Sequence, residues 1–249
     1  MISSGSPLDT YADNADFWVK IIREGLDRYR VDLTDDAVLS AAGDCNNLNI
    51  LDGGCGEGYM SRLLAQRGAR VVGIDTSESL IEAASTHPDA ERLAVTHYVA
   101  SLEEIPEQDA RFDVAVCNHV LSDVTEPDVA LHELGRVVRP GGRLIALMLH
   151  PCFYTAHAER DSHGNIPVAT YFRERRVDQP FVVAGIESPA EVHMSFRPLE
   201  FYIQAIVRAG FVITGLSEPH PSTDVLNSDR WWAANFVKPL FLLISAERR

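Results

Sequence analysis

The spacing of hydrophobic and polar residues divides the chain into a helical N-terminus and a central region of strands and helices. In residues 14–30 the apolar side chains fall along one helical face, and a second short helix is predicted at 34–42. From residue 49 onward, short apolar runs alternate with helical segments. Strands are predicted at 49–51, 71–75, 95–99, 112–117 and 143–149, and helices at 59–67, 77–85 and 126–138. This alternation predicts βαβ units and a parallel sheet.

The alternation stops after the fifth predicted strand. Residues 151–196 carry aromatic residues, prolines and short strand-like runs, which indicates an inserted segment. A helix at 198–209, opened by a proline, and strands at 211–217 and 239–246 complete the pattern. Because βαβ crossovers are right-handed, helices are expected on both faces. The prediction is an α/β fold with a seven-stranded, mostly parallel sheet, N-terminal helices and an inserted cap.

The length of 249 residues suits one domain. Within it we expect four parts. These are an N-terminal helical lid at 1–46, a ligand-binding core at 48–150, a cap over the substrate at 151–196, and the C-terminal part of the sheet at 197–249.

Net charge and cysteine content indicate which class of partner and which cellular compartment to expect. The formal net charge is −14, from 22 basic and 36 acidic residues, which argues against a nucleic-acid partner. Three arginines lie close together in the sequence, so a basic patch is expected only there: Arg173, Arg175 and Arg176. The four cysteines show no CxxC spacing, and the N-terminus has neither a basic start nor an apolar run. We therefore expect free thiols, no signal peptide, no membrane span and a cytoplasmic location.

A glycine-rich turn follows the first predicted strand. Residues 50–58 read ILDGGCGEG, where a strand leads into a tight turn and a helix. Gly54, Gly56 and Gly58 allow a ligand to approach the backbone closely, and the helix N-terminus offers unpaired N–H groups. The spacing is G-x-G-x-G, which differs from the G-x-G-x-x-G of dinucleotide-binding enzymes.

Two aspartates follow strands beside this turn. Asp75 ends the second strand, where a carboxylate accepts hydrogen bonds from ribose hydroxyls, as it does in dinucleotide enzymes too. Asp52 ends the first strand, where its charge would repel a pyrophosphate but tolerate an amino group or a sulfonium. The alternative interpretation of both is ordinary capping of strand ends.

Four segments together resemble the class I S-adenosylmethionine-dependent methyltransferases. They are ILDGGCGEG at 50–58, VVGIDTS at 71–77, FDVAVCNHVLSDV at 112–124 and LGRVVRPGGRLI at 134–145. The resemblance covers residues 48–150 and implies a Rossmann-like fold with S-adenosylmethionine as cofactor. One position departs from a common pattern, because Ser101 stands where an aspartate often follows the third strand.

The resemblance also implies which residues bind the cofactor. The turn at 52–58 would hold the methionine part and Asp75 the ribose. Residues 100–102 would lie beside adenine, and 118–120 would flank the methionine end. The predicted cofactor-binding residues are Tyr11, Trp18, Asp52, Gly53, Gly54, Cys55, Gly56, Gly58, Asp75, Thr76, Ser101, Leu102, Asn118 and His119. For Asn118 and His119, simple loop filling is an equal alternative.

Candidate acceptor-side residues follow the later strands and the insertion. His119 and His150 come after strands four and five, where ligands bind in open α/β sheets, so they are the candidate general bases. The candidate substrate-binding residues are Tyr154, His193, Arg197 and Trp231. Packing at a helix entry is the alternative for His193 and Arg197, and packing of a crevice is the alternative for Trp231.

The sequence leaves three hypotheses about function. The first is methyl transfer to an oxygen, nitrogen or carbon atom of a small molecule, with secondary metabolism as a setting. The second is a tRNA or protein methyltransferase, and the acidic composition argues against tRNA as the substrate. The third is a non-catalytic nucleotide-binding or scaffold protein. No metal is predicted, a homodimer is allowed, and the acceptor is not named by the sequence.

Overall fold

The computed structural model describes residues 11–153 and 171–249. The helices are α1 (Ala15–Arg23), α2 (Asp35–Ala42), α3 (Tyr59–Gln66), α4 (Glu78–Ser85), α5 (Pro88–Arg92), α6 (Pro127–Val137), α7 (Leu199–Arg208), α8 (Thr223–Ser228) and α9 (Arg230–Asn235). The strands are β1 (Asn49–Gly53), β2 (Arg70–Asp75), β3 (Thr96–Val99), β4 (Phe112–Asn118), β5 (Val138–Leu149), β6 (Arg175–Gln179), β7 (Val182–Val183), β8 (Ile186–Glu187), β9 (Val192–Phe196), β10 (Phe211–Ser217) and β11 (Phe241–Arg248). A one-turn π-helix spans Arg30–Thr34.

Seven strands form one sheet in the order β10-β11-β5-β4-β1-β2-β3. The pairs among β1 to β5 are parallel, while β11 runs antiparallel to both β5 and β10. The predicted seven-stranded, mostly parallel α/β sheet is therefore confirmed, and the fold is Rossmann-like.

Each central strand contributes side chains to two apolar cores. In β4, Ala115 and Cys117 point to the core that α6 and α7 cover, and Val114 and Val116 point to the core that α2 and α3 cover. All four are fully buried. Burial on both faces is why these strands read as continuous apolar runs. Helices cover both faces, as the sequence predicts.

The helix predicted over 14–30 is shorter than expected. It ends at Arg23, and Gly25 follows with φ +62°, a left-handed conformation that ends helices and favours glycine. The π-helical turn at Arg30–Thr34 then leads into α2. The prediction of a continuous N-terminal helix was therefore wrong in its second half.

The C-terminal prediction also needs correction. The sequence predicts no helix or strand between the strands at 211–217 and 239–246, but residues 219–235 contain α8 and α9. Each helix has a capping side chain: Ser222 accepts the backbone N–H of Val225, and Asp229 accepts that of Trp231. The helix α4 is capped in the same way, because Ser77 accepts the N–H of Leu80.

The described part of the 151–196 segment forms two small antiparallel pairs, β6 with β9 and β7 with β8. Asn14 joins this segment to the N-terminal helix, since its amide bonds both the carbonyl and the N–H of Ala190 at 3.1 and 2.9 Å. Trp18 packs edge-on against Phe181. Within the residues that the structure describes, no helix has the length and apolar character needed to cross a membrane.

Candidate functional site

A cavity of about 210 Å³ opens at the carboxyl ends of β1, β2 and β4. This is the edge of an open α/β sheet where ligands bind. Its lining comes from the N-terminal helices, the glycine-rich turn and the loops after β2, β3 and β4. The lining includes Tyr11, Trp18, Arg30, Asp52, Gly54, Cys55, Gly56, Glu57, Tyr59, Asp75, Thr76, Ser101, Leu102, Glu103, Asn118, His119, Val120, Asp123 and Thr125.

Backbone hydrogen bonds fix the glycine-rich turn against β2. The N–H groups of Gly54 and Cys55 both donate to the carbonyl of Ile74, and the N–H of Gly56 donates to Asp75 at 2.9 Å. Gly56 has φ +54°, and a Cβ at this position would meet no atom of the described residues within 4 Å. The absent side chain therefore leaves open space beside a cavity-lining backbone.

Two glycines predicted to bind the cofactor do not line the cavity. A Cβ on Gly53 would meet Leu102 at 2.6 Å, and one on Gly58 would meet the His97 ring at 2.7 Å. Gly54 does line the cavity, but its Cβ would collide with Val120. At these three positions glycine is required by packing against the protein itself.

Asp75 is held by the backbone around it. Its Oδ1 accepts the N–H of Ser77 and its Oδ2 accepts that of Gly56, each at 2.9 Å. Burial raises the pKa of this carboxyl group, and the backbone N–H groups act in the opposite direction. A carboxylate oxygen accepts more than one hydrogen bond, so Asp75 can still accept hydroxyl donors from the cavity.

Asp52 is almost fully buried at the end of β1. Ser61 donates to its Oδ2 at 2.6 Å, while Oδ1 has no hydrogen-bond partner among the described residues. Burial raises the pKa of Asp52 to about 6. The side-chain oxygen of Asn118 is likewise buried without a partner in the described structure. Two buried acceptors thus line the cavity unsatisfied.

Two donors complement these acceptors. The indole N–H of Trp18 and the Nε of Arg30 are buried, and neither bonds to a described residue. The Arg30 guanidinium lies 5.2 Å from the centre of the Tyr59 ring. Tyr59 in turn donates to Asp35 at 3.0 Å. Buried polar atoms in native structures are almost always paired, so four unpaired ones in one cavity indicate a polar ligand.

Glu57 ties the turn to the N-terminal helix. Its carboxylate is fully buried and bonds Arg62 at 2.6 Å and Arg23 of α1 at 2.9 Å. Arg62 also donates to the Glu57 carbonyl at 2.7 Å. Because both cations are satisfied by the same carboxylate, α1 is placed over the turn.

Asp123 lies in the loop after β4 and faces the cavity. Its Oδ2 accepts the Tyr11 hydroxyl at 2.6 Å and its Oδ1 accepts the Ser122 hydroxyl at 3.0 Å. Burial raises the pKa of Asp123 to about 7, against the effect of both hydroxyls. Tyr11, predicted from the sequence to bind the cofactor, lines the cavity itself and donates to this carboxyl group.

The two candidate bases are placed differently. His119 lines the cavity with φ +62°, a strained backbone for a non-glycine residue, and burial together with Arg30 lowers its pKa to about 3. His150 was expected on the cavity floor, but it does not line it. Its Nε2 bonds Glu218 at 3.0 Å and its Nδ1 accepts the N–H of Cys152 at 3.2 Å, so both ring nitrogens are engaged elsewhere.

Three predicted substrate-binding residues also lie outside the cavity lining. His193 bonds Asp178 across the β6–β9 pair. Arg197 bonds Glu174 at 3.0 Å and the carbonyl of Thr125 at 3.2 Å, so it supports a lining residue without lining the cavity. Trp231 packs against Tyr29. The fourth, Tyr154, lies outside the described residues.

Sequence reasoning missed several polar residues of the cavity, namely Arg30, Glu57, Tyr59, Glu103 and Asp123. Glu57 stands inside the quoted turn, and Asp123 stands in the quoted segment after β4. A signal was therefore present for these two. Arg30 reaches the cavity only because the π-helical turn redirects the chain after α1, and no local pattern predicts that.

Comparison with known proteins agrees with this geometry. Residues 51–146 match the model of a family described as a methyltransferase domain. A ubiquinone biosynthesis O-methyltransferase of Coxiella burnetii is 35% identical over 96 residues, which is 39% of this chain and 41% of the relative. One of the same name from Rhizobium johnstonii is 31% identical over 161 residues, 61% of this chain and 65% of the relative. The chain thus spans about two fifths of the first of these curated relatives.

Solved structures match over a larger share. An S-adenosylmethionine dependent methyltransferase of Mesorhizobium loti superposes with a TM-score of 0.69 at 25% identity, covering 85% of this chain and 96% of that one. A Listeria monocytogenes protein proposed to have the same cofactor gives a TM-score of 0.70 at 27% identity, over 86% and 95%. Together with the family match over residues 51–146 and the seven-stranded sheet, these similarities support the assignment of the chain to the class I S-adenosylmethionine-dependent methyltransferases.

Proposed function

We propose that this protein binds S-adenosylmethionine in the described cavity and transfers its methyl group to an oxygen atom of a small molecule. The family and its cofactor support the first half of the proposal. The second half draws on the name of the curated relatives, which are O-methyltransferases of ubiquinone biosynthesis. The formal charge of −14 disfavours tRNA as the acceptor.

The observation that carries the proposal is the set of four buried polar atoms of the cavity residues that have no partner among the described residues. Two are acceptors, on Asp52 and Asn118, and two are donors, on Trp18 and Arg30. An amino acid carries an ammonium donor and a carboxylate acceptor on one carbon, so it satisfies both kinds at once. An ammonium against Asp52 would also stabilise the ionised form of a carboxyl group whose pKa is raised to about 6.

The rest of the cavity fits the remaining parts of the cofactor. Asp75 retains acceptor capacity for the two ribose hydroxyls, and Ser101 and Leu102 would lie beside the adenine. The open space at Gly56 would let the backbone approach the ligand. When bound, S-adenosylmethionine supplies a methyl group on a positively charged sulfur, and the protein's task is to align the acceptor with it.

Calorimetry with three ligands tests the binding half. We expect S-adenosylmethionine and S-adenosylhomocysteine to bind and NAD not to bind, because Asp52 opposes a pyrophosphate. Replacing Asp52 with Asn should lower the affinity for both S-adenosylmethionine and S-adenosylhomocysteine. Binding of NAD with no response to S-adenosylhomocysteine would contradict the proposal.

A product assay tests the transfer half. The protein is incubated with S-adenosylmethionine carrying a deuterated methyl group and a pooled extract of small metabolites, and mass spectrometry detects the labelled product. Fragmentation then assigns the label to oxygen, nitrogen or carbon. Tight binding of the cofactor without any labelled product would favour the non-catalytic alternative.

A further inference from the structure

Asp123 is a carboxyl group of the cavity that the cofactor assignment leaves unused. Asp52 is assigned to the ammonium and Asp75 to the ribose. Asp123 instead lies in the loop after β4, beside the cavity-lining residues Val120, Val124 and Thr125. The geometry points to Asp123 as the group that takes the proton of a hydroxyl-bearing acceptor, and this inference rests on the proposed function.

The contacts of Asp123 hold its carboxylate in one orientation. Tyr11 reaches it from the segment before α1 and Ser122 from its own loop, and each donates to a different oxygen. Among the described residues, two further titratable groups interact with its charge: Asp75 at the end of β2 and Tyr202 of α7. An ionised carboxylate with two donors still has lone pairs for a third donor from the cavity.

The acid–base properties of the cavity favour Asp123 over the other candidates. A group with a pKa of about 7 is about half ionised at neutral pH, and its ionised form binds the transferred proton well. The pKa of His119 is lowered to about 3, so its imidazole is a weak base. Glu103 also lines the cavity, but its hydrogen bond from the N–H of Glu126, at 2.9 Å, is exposed, whereas the two hydrogen bonds of Asp123 are partly buried.

The same carboxylate distinguishes a hydroxyl from an amine as acceptor. An amine enters a neutral solution largely as ammonium, and an ion pair with Asp123 would stabilise that unreactive form. A hydroxyl enters uncharged and becomes a better nucleophile as it gives up its proton. The neutral neighbours Val120, Val124 and Thr125 suit an uncharged ring that carries such a hydroxyl.

The step balances without a further reactant. The acceptor oxygen forms a bond to the methyl carbon, and the methyl–sulfur bond breaks with its electron pair going to sulfur. The proton of the hydroxyl passes to a carboxylate oxygen of Asp123. Asp123 then releases that proton to solvent before the next turnover.

A binding experiment tests the inference without turnover. Catechol is titrated into the protein saturated with S-adenosylhomocysteine, between pH 5.5 and 8.5. We expect the affinity of the unmodified protein for catechol to rise with pH through about 7, as Asp123 ionises. Asp123→Asn should lower the affinity for catechol at least about tenfold and remove this pH dependence, while the affinity for S-adenosylhomocysteine stays unchanged. Asp128→Asn, at an exposed ion pair with Arg208, is the matched control and should behave like the unmodified protein.

A kinetic experiment adds the readout of the proton transfer. Methyl transfer to catechol should fall by roughly 10²–10⁴-fold in Asp123→Asn. In Tyr11→Phe the loss of the hydroxyl removes a hydrogen bond that lowers the Asp123 pKa, so the rise in kcat/KM should move to higher pH. A purely structural role of Tyr11 would change the rate but not the midpoint.

The outcomes separate this inference from the proposed function. If S-adenosylhomocysteine binds but catechol does not, or if Asp123→Asn keeps the affinity, rate and pH profile of the unmodified protein, the inference fails and the cofactor site stands. A loss of turnover and its pH dependence in His119→Ala alone would assign the proton to His119 instead. If S-adenosylhomocysteine does not bind at all, both proposals fail.

Discussion

Single residues of the cavity determine what kind of ligand it can hold. Gly56 combines a left-handed backbone with open space where a side chain would stand, and Asp75 combines a fixed carboxylate with spare acceptor capacity. Each property concerns the contact of one residue with the ligand. Both can therefore be tested by replacing one residue and measuring cofactor affinity.

Gly56→Val should abolish binding of S-adenosylhomocysteine, because its side chain would occupy the space beside the turn. Gly185→Val is the matched control, since Gly185 also has a positive φ, +80°, and open space around its Cβ position, but it lies outside the cavity lining. Both variants place a β-branched side chain on a backbone with positive φ, which strains each of them. Calorimetry that found equal affinities for the two would mean that the Gly56 turn does not contact the ligand.

Asp75→Asn should weaken the binding free energy of S-adenosylhomocysteine by about 1–3 kcal/mol, the usual loss when charge-assisted hydrogen bonds disappear. The control is Asp113→Asn, because Asp113 also accepts a backbone N–H, that of Asn49, but lies at the start of β4. Its substitution should leave the affinity unchanged. An unchanged affinity in Asp75→Asn would refute the ribose assignment.

At the scale of elements, the cavity depends on contacts between segments far apart in the chain. The N-terminal helix α1 is held to the glycine-rich turn by Arg23 and Glu57, and to the loop before β9 by Asn14 and Ala190. His150 performs a similar structural task at the end of β5, through Glu218 and Cys152. The links of α1 place Tyr11 and Trp18 over the cavity.

Asn14→Ala should lower the free energy of unfolding by about 1–3 kcal/mol, because it removes the two hydrogen bonds that the fully buried Asn14 side chain makes to Ala190. The exposed Asn235, which donates to the Trp231 carbonyl, provides the control variant Asn235→Ala, for which we expect less than about 0.5 kcal/mol. Denaturant unfolding measures both. Equal effects would show that the link from α1 to Ala190 adds no stability.

For the whole molecule, buried titratable groups make stability depend on pH. His97 of β3 lies against Gly58 and Gly73, and neither ring nitrogen bonds to a described residue. Burial and the charge of Arg62 lower its pKa to about 4, from the ordinary value near 6.5. Because the unfolded chain binds this proton first, the histidine destabilises the fold as the pH falls from about 6.5 toward 4.

His97→Gln should therefore flatten the fall in unfolding free energy between pH 6.5 and 4. The effects of Asp52, Asp123 and His119 are present in both proteins, so the difference in slope belongs to His97. Denaturant unfolding at several pH values measures it. If the two slopes are the same, His97 ionises in the folded protein as it does in the unfolded chain.

The sequence by itself determined the mostly parallel sheet, the order of its seven strands along the chain, and the turn that follows β1. These follow from local information, since burial on both faces produces apolar runs and a tight turn requires glycine at fixed spacing. The segments 50–58 and 71–77 were enough to place Asp52, Gly56 and Asp75 at one edge. The same local rules did not foresee α8 and α9, where short capped helices occupy a polar segment.

Only the tertiary structure decided which other polar groups face the ligand. Arg30 enters the cavity through a π-helical turn, and Tyr11 meets Asp123 across 112 residues of chain. His150, by contrast, is turned away by Glu218. Such placements depend on which distant side chains satisfy each buried donor and acceptor, and hydrophobic periodicity carries no information about that pairing.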